Sequence, residues 1–303
     1  MIKIKSVTVI GAGTMGRQIS LQIARHGFSV VLFDADSAAL TDAGLAQERI
    51  VADWVAAGLE AENASSAILG NLRYETELSF AIRAADLVIE VVPERLELKR
   101  RVFRQIDGLA HEGAIIASNS SSIRVSALED ATERPQQVAN LHFYLPVWDN
   151  PMVEIGGGSS TRDDVLDALS AFARAIGLLP LRVRGESTGF ILNRVWRAIK
   201  KEVMKVADSG VATVEDIDRA WMIKFGSKQP PPFAQMDRIG LDVIYDIEMR
   251  YAEESGDPDD LPRPILTEKL ERGELGLKTG RGFYNYPNPA YLADDFLMSD
   301  QAE

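Results

Sequence analysis

The stretch VTVIGAGTMGRQISLQIARHG, residues 7–27, decides the fold. VTVI predicts a short buried strand, and Met15, Ile19 and Ile23 then recur at helical spacing until Gly27. Between strand and helix stands GAGTMG, a G-x-G-x-x-G turn in the context that a dinucleotide-binding unit requires. Its first glycine allows a tight turn, the second lets a pyrophosphate approach the backbone, and the third lets helix and strand pack closely. Because a helix N-terminus also attracts anions, this turn predicts a cofactor phosphate site formed by Gly11, Ala12, Gly13, Thr14, Met15 and Gly16.

Asp34 supplies the second part of this cofactor signal. It follows the strand-like run SVVLF and comes at about the 20-residue spacing at which an acidic residue binds the adenosine ribose. Its charge would repel a 2′-phosphate, and neither Ala35 nor Asp36 offers a compensating cation. The sequence therefore predicts NAD rather than NADP. The alternative is an ordinary turn followed by a surface aspartate.

The rest of the first half alternates strands and helices. Further apolar runs stand at residues 87–92, 114–118, 138–141 and 152–155, whereas residues 36–73 hold no clear strand and predict a helix-rich excursion. Such alternation predicts an α/β fold, a Rossmann-like, doubly wound, mostly parallel sheet. After Val183 only helical patterns follow. We therefore expect an NAD-binding domain at residues 1–184 and an all-helical C-terminal domain at residues 185–303 for substrate binding and dimerisation.

Composition excludes several classes of function. The 303 residues are 46% apolar and 26% charged, as in ordinary globular proteins, and the apolar content is enough for a hydrophobic core. A net charge of −12 argues against binding a nucleic-acid backbone. The absence of cysteine excludes disulfides and thiolate metal sites, and three histidines leave little material for a zinc site, so we expect no metal. No apolar run approaches the ~20 residues of a membrane helix, and the apolar start of the chain runs into glycines rather than a cleavage site. We expect a cytoplasmic enzyme without nucleic-acid or membrane partners.

His142 and Glu154 are the candidate catalytic pair. His142 ends the run VANL, and open α/β sheets bind ligands outside the carboxyl ends of their strands. Glu154 lies within the next strand, MVEI, so two adjacent strands can place a carboxylate against the imidazole. That carboxylate would fix the tautomer and raise the basicity of a general base. Taken alone, a histidine at a strand end is as readily a structural residue.

Six blocks of sequence resemble the 3-hydroxyacyl-CoA dehydrogenase family over nearly the whole chain. In order they are VTVIGAGTMG at 7–16, DLVIEVVPE at 86–94, SNSSSI at 118–123, LHFYLPV at 141–147 with Glu154, GFILNR at 189–194, and GELGLKTGRGFYNY at 273–286. The resemblance implies NAD-dependent oxidation of a 3-hydroxyacyl-CoA to the 3-keto compound, a role in fatty acid metabolism, and a homodimer held by the helical domain.

The resemblance also implies a role for each matching residue. His142 would be the base and Glu154 its orienting partner, while Ser121 would touch both the nicotinamide and the substrate oxygen. Asn193 would reach the reacting centre from the helical domain. Glu94 and Lys99 would line the cofactor cleft, and Lys278 would close over it. Without the resemblance, Ser121, Lys99 and Lys278 are best interpreted as solvated polar residues.

Two departures from the family pattern concern the substrate. Leu145 stands where family members usually have asparagine, which removes one polar contact near the acyl or thioester end. The excursion after Asp34 offers only Arg49 as a cation, where CoA-using members tend to supply lysines for the nucleotide phosphates. An NAD-dependent dehydrogenase of a small, non-CoA hydroxy acid or alcohol is therefore the alternative. A relative that binds dinucleotide without turnover is a third reading, which the retained site residues disfavour.

Overall fold

The computed structural model of the chain describes residues 2–298, in two compact units that divide between Ile191 and Leu192. The first unit contains a single eight-stranded sheet. Its strands are β1 (Ser6–Ile10), β2 (Ser29–Phe33), β3 (Leu72–Glu75), β4 (Leu87–Glu90), β5 (Ile115–Ser118), β6 (Val138–Phe143), β7 (Met152–Gly157) and β8 (Leu179–Val183).

The sheet has the order β3-β2-β1-β4-β5-β6-β7-β8. All neighbouring strands are parallel except β6 and β7, which are antiparallel. The carboxyl ends of β1 to β6 therefore meet at one edge, and the order reverses direction between β1 and β4, which is the switch point where such sheets bind ligands. The predicted mostly parallel, Rossmann-like sheet is confirmed.

Alternation along the strands builds a core on both faces of this sheet. In β4, Leu87 and Ile89 belong to one buried apolar cluster and Val88 to another. Because successive side chains point to opposite faces, strands covered on both sides read as continuous apolar runs. The covering helices are α1 (Thr14–Arg25), α2 (Ser37–Ala56), α3 (Ala64–Gly70), α4 (Leu78–Ile82), α5 (Leu96–Leu109) and α6 (Asp163–Ala175).

Two strands were missed by the sequence analysis. β3 begins at Leu72, so the statement that residues 36–73 hold no strand is wrong at the end of that segment. β3 and β8 are the two edge strands of the sheet. Two of the four residues of β3 are exposed, and β8 contains a proline, Pro180. Edge strands need only one partner and tolerate polar residues and proline, so their sequences lack the apolar run of a central strand.

The second unit is helical, as predicted. Its helices are α7 (Leu192–Asp208), α8 (Val214–Phe225), α9 (Pro232–Ile239), α10 (Leu241–Ser255) and α11 (Pro264–Glu271). Thr213 caps α8 by accepting a hydrogen bond from the backbone of Asp216, as its spacing indicated. Apolar side chains from all five of these helices, including Met204, Phe233 and Leu266, form its core. Among residues 2–298, no helix combines the length and apolar character needed to cross a membrane.

Candidate active site

His142 and Glu154 face each other across the one antiparallel strand pair of the sheet. They are register partners in β6 and β7, and the imidazole Nδ1 lies 3.1 Å from Oε2 of Glu154. His142 is 6% exposed and Glu154 is fully buried. An ionised carboxylate can only accept hydrogen bonds, so Nδ1 carries the proton and Nε2 is left as the acceptor. The pair therefore has the arrangement of a general base with its orienting carboxylate.

Three further groups around this pair were missed by the sequence analysis. The hydroxyl of Tyr144 donates to Oε2 of Glu154 at 2.6 Å, and the backbone N–H of Ile191 donates to Oε1 at 2.9 Å. The ring of Phe190 lies 5.7 Å from the imidazole, centre to centre. Tyr144 was open to prediction, because it follows His142 by two residues and the period of an extended chain places both side chains on the same face. Residues 190 and 191 contact the pair only because the chain folds back onto it, and the sequence around them does not indicate this.

The serine-rich turn after β5 is held by Glu94. Glu94 accepts hydrogen bonds from the hydroxyls of Ser120 and Ser122, the second at 2.7 Å. Ser121 lies between them, half-buried, and its carbonyl accepts from the backbone of Gly189 at 3.1 Å. Burial opposes ionisation of Glu94, but the charge of Lys99 and the serine donors outweigh it and hold the pKa of Glu94 below its usual range. Glu94 thus fixes the turn that carries Ser121.

Lys99 is buried, which corrects its interpretation as a solvated residue on a charged helix face. It is 1% exposed, and its Nζ lies 2.7 Å from Glu90, 3.1 Å from the carbonyl of Val92 and 3.3 Å from Glu94. Burial raises the pKa of Glu90 even though Lys99 opposes this effect. All three N–H groups of Lys99 face acceptors beneath the serine turn, so in this structure Lys99 positions Glu94. Its direct role toward the cofactor stays a prediction.

The glycine-rich turn has the geometry that a pyrophosphate requires. Gly11 has a φ of +113°, which favours glycine. A Cβ on Gly16 would stand 1.7 Å from the carbonyl oxygen of Gly11, so only glycine lets the start of α1 lie this close to the turn. A Cβ on Gly13 would meet nothing within 4 Å, which leaves that side of the turn open. Helix α1 starts at Thr14 without a side-chain cap, so its first N–H groups are directed at this opening.

A cavity of about 400 Å³ lies beside this turn and fits an adenosine group. Asp34 stands in its wall and accepts a hydrogen bond from the backbone of Ala12 at 2.8 Å, which leaves lone pairs for a ribose. Helix α5 also lines this cavity, with side chains that the sequence analysis did not identify. The lining side chains from that helix are Leu98, Arg101, Val102 and Gln105. The residues present therefore fit NAD.

Asn193 and Lys278 belong to the second unit. Asn193 is the second residue of α7 and is partly buried. Lys278 lies in a short 3₁₀ turn after α11 and forms an ion pair with Asp242 at the start of α10. Their predicted roles toward substrate and cofactor stay predictions.

Comparisons with known proteins agree with the fold and with NAD as the cofactor. The family model described as 3-hydroxyacyl-CoA dehydrogenase, NAD binding domain, matches residues 6–187, and the C-terminal domain model of the same family matches residues 189–286.

Individual relatives span nearly the whole chain. A 3-hydroxybutyryl-CoA dehydrogenase of Mycobacterium tuberculosis is 35% identical over 93% of this chain and 99% of its own length. A 5-formyl-3-hydroxy-2-methylpyridine 4-carboxylate 5-dehydrogenase of Mesorhizobium japonicum is 32% identical over 93% of this chain and 91% of its own. The crystal structure of an (S)-3-hydroxybutyryl-CoA dehydrogenase of Ralstonia eutropha superimposes with a TM-score of 0.88, at 33% identity over 94% of this chain and all of that one. The chain therefore belongs to the 3-hydroxyacyl-CoA dehydrogenase family and is an NAD-dependent dehydrogenase.

Proposed function

We propose that this enzyme interconverts a 3-hydroxyacyl-CoA and the corresponding 3-ketoacyl-CoA, with His142 as the acid–base group. The observation that carries the proposal is the buried contact between His142 and Glu154. His142 lies near the carboxyl end of β6, and the dinucleotide turn follows the carboxyl end of β1, in the same parallel part of the sheet. The relatives of known activity support the substrate class, since several act on hydroxyacyl-CoA compounds by name.

The proposed mechanism moves one proton and one hydride. In the oxidative direction, Nε2 of His142 accepts the proton of the substrate hydroxyl. The carbon that carries this hydroxyl loses hydride at the same time, which leaves a carbonyl group. Bound NAD supplies the hydride acceptor. Glu154 stabilises the imidazolium that forms, and Ser121 and Asn193 are proposed to hold the reacting oxygen. In the reductive direction the imidazolium returns its proton to that oxygen.

The cofactor-binding part of the proposal follows the geometry of the first unit. Backbone groups of residues 11–16 would bind the pyrophosphate and Asp34 the adenosine ribose. Glu94 and Lys99 would support or line the cleft, and Lys278 would close over it. In this scheme residues 1–184 form the cofactor domain and residues 185–303 the substrate and dimerisation domain.

A second candidate function is oxidation of a small hydroxy acid or alcohol without CoA. Leu145 is 43% exposed and follows Tyr144 directly, at a position where a polar side chain would have offered a hydrogen bond. Helices α2 and α3 carry Arg49 as their one cation, and the neighbouring Arg25 is already paired with Glu60 at 2.6 Å. The relative from Mesorhizobium japonicum, whose substrate by name is a pyridine carboxylate, supports this candidate.

A substrate panel separates the two candidates. NADH oxidation is followed with acetoacetyl-CoA and, at equal concentration, with free acetoacetate and a set of aromatic and aliphatic keto acids. Thioester turnover with kcat/KM at least ~10⁴ M⁻¹s⁻¹, in the ordinary enzyme range, supports the first candidate. Selective turnover of a free acid would replace it with the second. Failure of every compound would remove the proposed oxidation chemistry.

We further propose a cytoplasmic homodimer with a role in fatty acid metabolism. Large apolar side chains on the second unit support association through that unit, since Ile223 and Phe225 of α8 are 65% and 67% exposed. Light scattering coupled to gel filtration is expected to give twice the chain mass. A monomer at micromolar concentration would contradict the dimer without touching the chemistry.

A further inference from the structure

Tyr144 shares the catalytic carboxylate with His142. Its hydroxyl donates to Oε2 of Glu154, the same oxygen that Nδ1 of His142 contacts. The tyrosine contact is the shorter, 2.6 Å against 3.1 Å, and short contacts between a hydroxyl and an ionised carboxylate are among the stronger hydrogen bonds in proteins. The tyrosine ring also packs edge-on against the imidazole, with centres 4.6 Å apart.

We propose that Tyr144 is a positioning residue that sets the pH range in which His142 works as a base, by taking up part of the negative charge of Glu154. This inference rests on the proposed function for the role of His142. The hydroxyl contacts the carboxylate rather than the imidazole, so its effect on His142 passes through Glu154.

The surroundings make this second donor effective. Glu154 is fully buried, and in such a site a hydrogen bond to a charge is stronger than in water. Burial and the Glu154 carboxylate raise the pKa of Tyr144 far above its usual range, so the hydroxyl keeps its proton and remains a donor at every pH at which the enzyme works.

Glu154 is the charged group that contacts His142 among the described residues of the first unit. Charged side chains on the elements around β6 and β7 have other partners: Arg182 of β8 pairs with Asp167 of α6, and Glu129 accepts from the hydroxyl of Ser159 beyond the end of β7. Phe190, on the segment before α7, adds an uncharged ring. The balance between imidazole and imidazolium therefore depends chiefly on how much of the Glu154 charge reaches Nδ1.

The direction of the effect follows from charge. Each donor to a carboxylate reduces the stabilisation that the carboxylate gives to a neighbouring cation. Removing the Tyr144 hydroxyl therefore favours the imidazolium. The imidazole titration midpoint and the acid limb of the oxidation profile should both move to higher pH, by roughly half to one pH unit.

The direct experiment compares the full-length enzyme with Tyr144→Phe by NMR titration of the histidine rings. Phenylalanine keeps the ring that packs on the imidazole and removes only the oxygen. The signal that His142→Gln abolishes identifies His142, and His26 and His111 serve as internal references. An upward shift of the His142 midpoint with unmoved references is expected. The matched control is Tyr74→Phe, which removes a hydroxyl bonded to Gln47 at 2.7 Å and should leave all three midpoints in place.

A double variant tests whether the effect passes through Glu154. In a Glu154→Gln background the carboxylate charge is gone, so adding Tyr144→Phe should no longer move the midpoint. An unchanged midpoint in the single variant, or an equal shift in both backgrounds, overturns the proposal. If Glu154→Gln fails to fold, the single variant still decides.

Failure of this inference is distinguishable from failure of the proposed function. The NMR readout needs no substrate, whereas the proposed chemistry fails if His142→Gln retains full turnover. A uniform loss of turnover at every pH in Tyr144→Phe, without a midpoint shift, would mean that the hydroxyl only supports the structure.

Discussion

At the scale of single residues, the site depends on one strand pairing. Only the antiparallel alignment of β6 with β7 sets His142 directly opposite Glu154. A shift of one residue would turn either side chain to the other face of the sheet. The buried neighbours Leu141 and Ile155, themselves register partners, oppose such a shift because they would lose their place in the core.

Replacing the base is the first test at this scale. His142→Gln keeps a donor toward Glu154 but removes the group that accepts the substrate proton, so turnover should fall at least ~10²-fold. The affinity for NADH, measured by fluorescence titration, should change little, because the dinucleotide turn lies on other elements. The matched control is His111→Gln, which changes an exposed histidine and should keep full turnover. Turnover within a few-fold of the parent enzyme in His142→Gln would place the base elsewhere.

At the scale of elements, helix α9 is capped by a residue from another helix. Its own N-cap position is Pro231, which provides no side-chain acceptor. Asp218 of α8 instead accepts from the backbone N–H groups of Phe233 and Ala234 at 3.1 and 3.3 Å, and from the hydroxyl of Tyr284 at 2.9 Å. Burial raises the pKa of Asp218 to about 6, although these three donors act in the opposite direction.

This capping aspartate makes stability depend on pH. A carboxyl group whose pKa is higher in the folded than in the unfolded state stabilises the fold at low pH, and this contribution is lost as pH rises from about 4 through about 6. The side chain of Asp218→Asn cannot ionise, so the variant lacks this pH dependence. Between pH 4 and pH 7 the free energy of unfolding should therefore fall more for the parent protein than for the variant, by on the order of 2–3 kcal/mol.

Urea unfolding of both proteins at several pH values measures this difference. Asp294→Asn, at an exposed position, is the matched control and should follow the parent. A difference between parent and Asp218→Asn that stays constant over the range would show that burial of Asp218 does not govern its ionisation.

At the scale of the whole molecule, the negative charge of the protein opposes the approach of a polyanionic substrate. The net charge is −12, and residues 36–72 contain six acidic residues but one cation, Arg49, although Glu60 is paired with Arg25 of α1. A CoA thioester carries several negative charges, so long-range repulsion should slow its encounter with the enzyme.

Salt provides the test. Raising ionic strength from about 0.01 M to about 0.15 M shortens the screening length from ~30 to ~8 Å, so kcat/KM for acetoacetyl-CoA should rise roughly two- to five-fold. An uncharged ketone substrate should show little change. A fall in kcat/KM for the thioester with salt would instead indicate a cation-rich site that binds its phosphates.

The sequence by itself determined what short-range patterns encode. The dinucleotide turn, Asp34 and the central strands were predictable because their residues are neighbours in the chain and their apolar runs are continuous. The helical second unit was predictable for the same reason. The candidate pair was found because His142 and Glu154 lie on consecutive strands.

Only the tertiary structure decided the features that join distant residues. Edge strands β3 and β8 form because a partner strand offers free hydrogen-bonding groups, whatever their own apolar content. Lys99 is buried because Glu90 and Glu94 reach it from the end of β4 and the loop beyond, and Asp218 caps a helix that it does not belong to. Burial and electrostatic pairing depend on position in space, which sequence spacing does not specify.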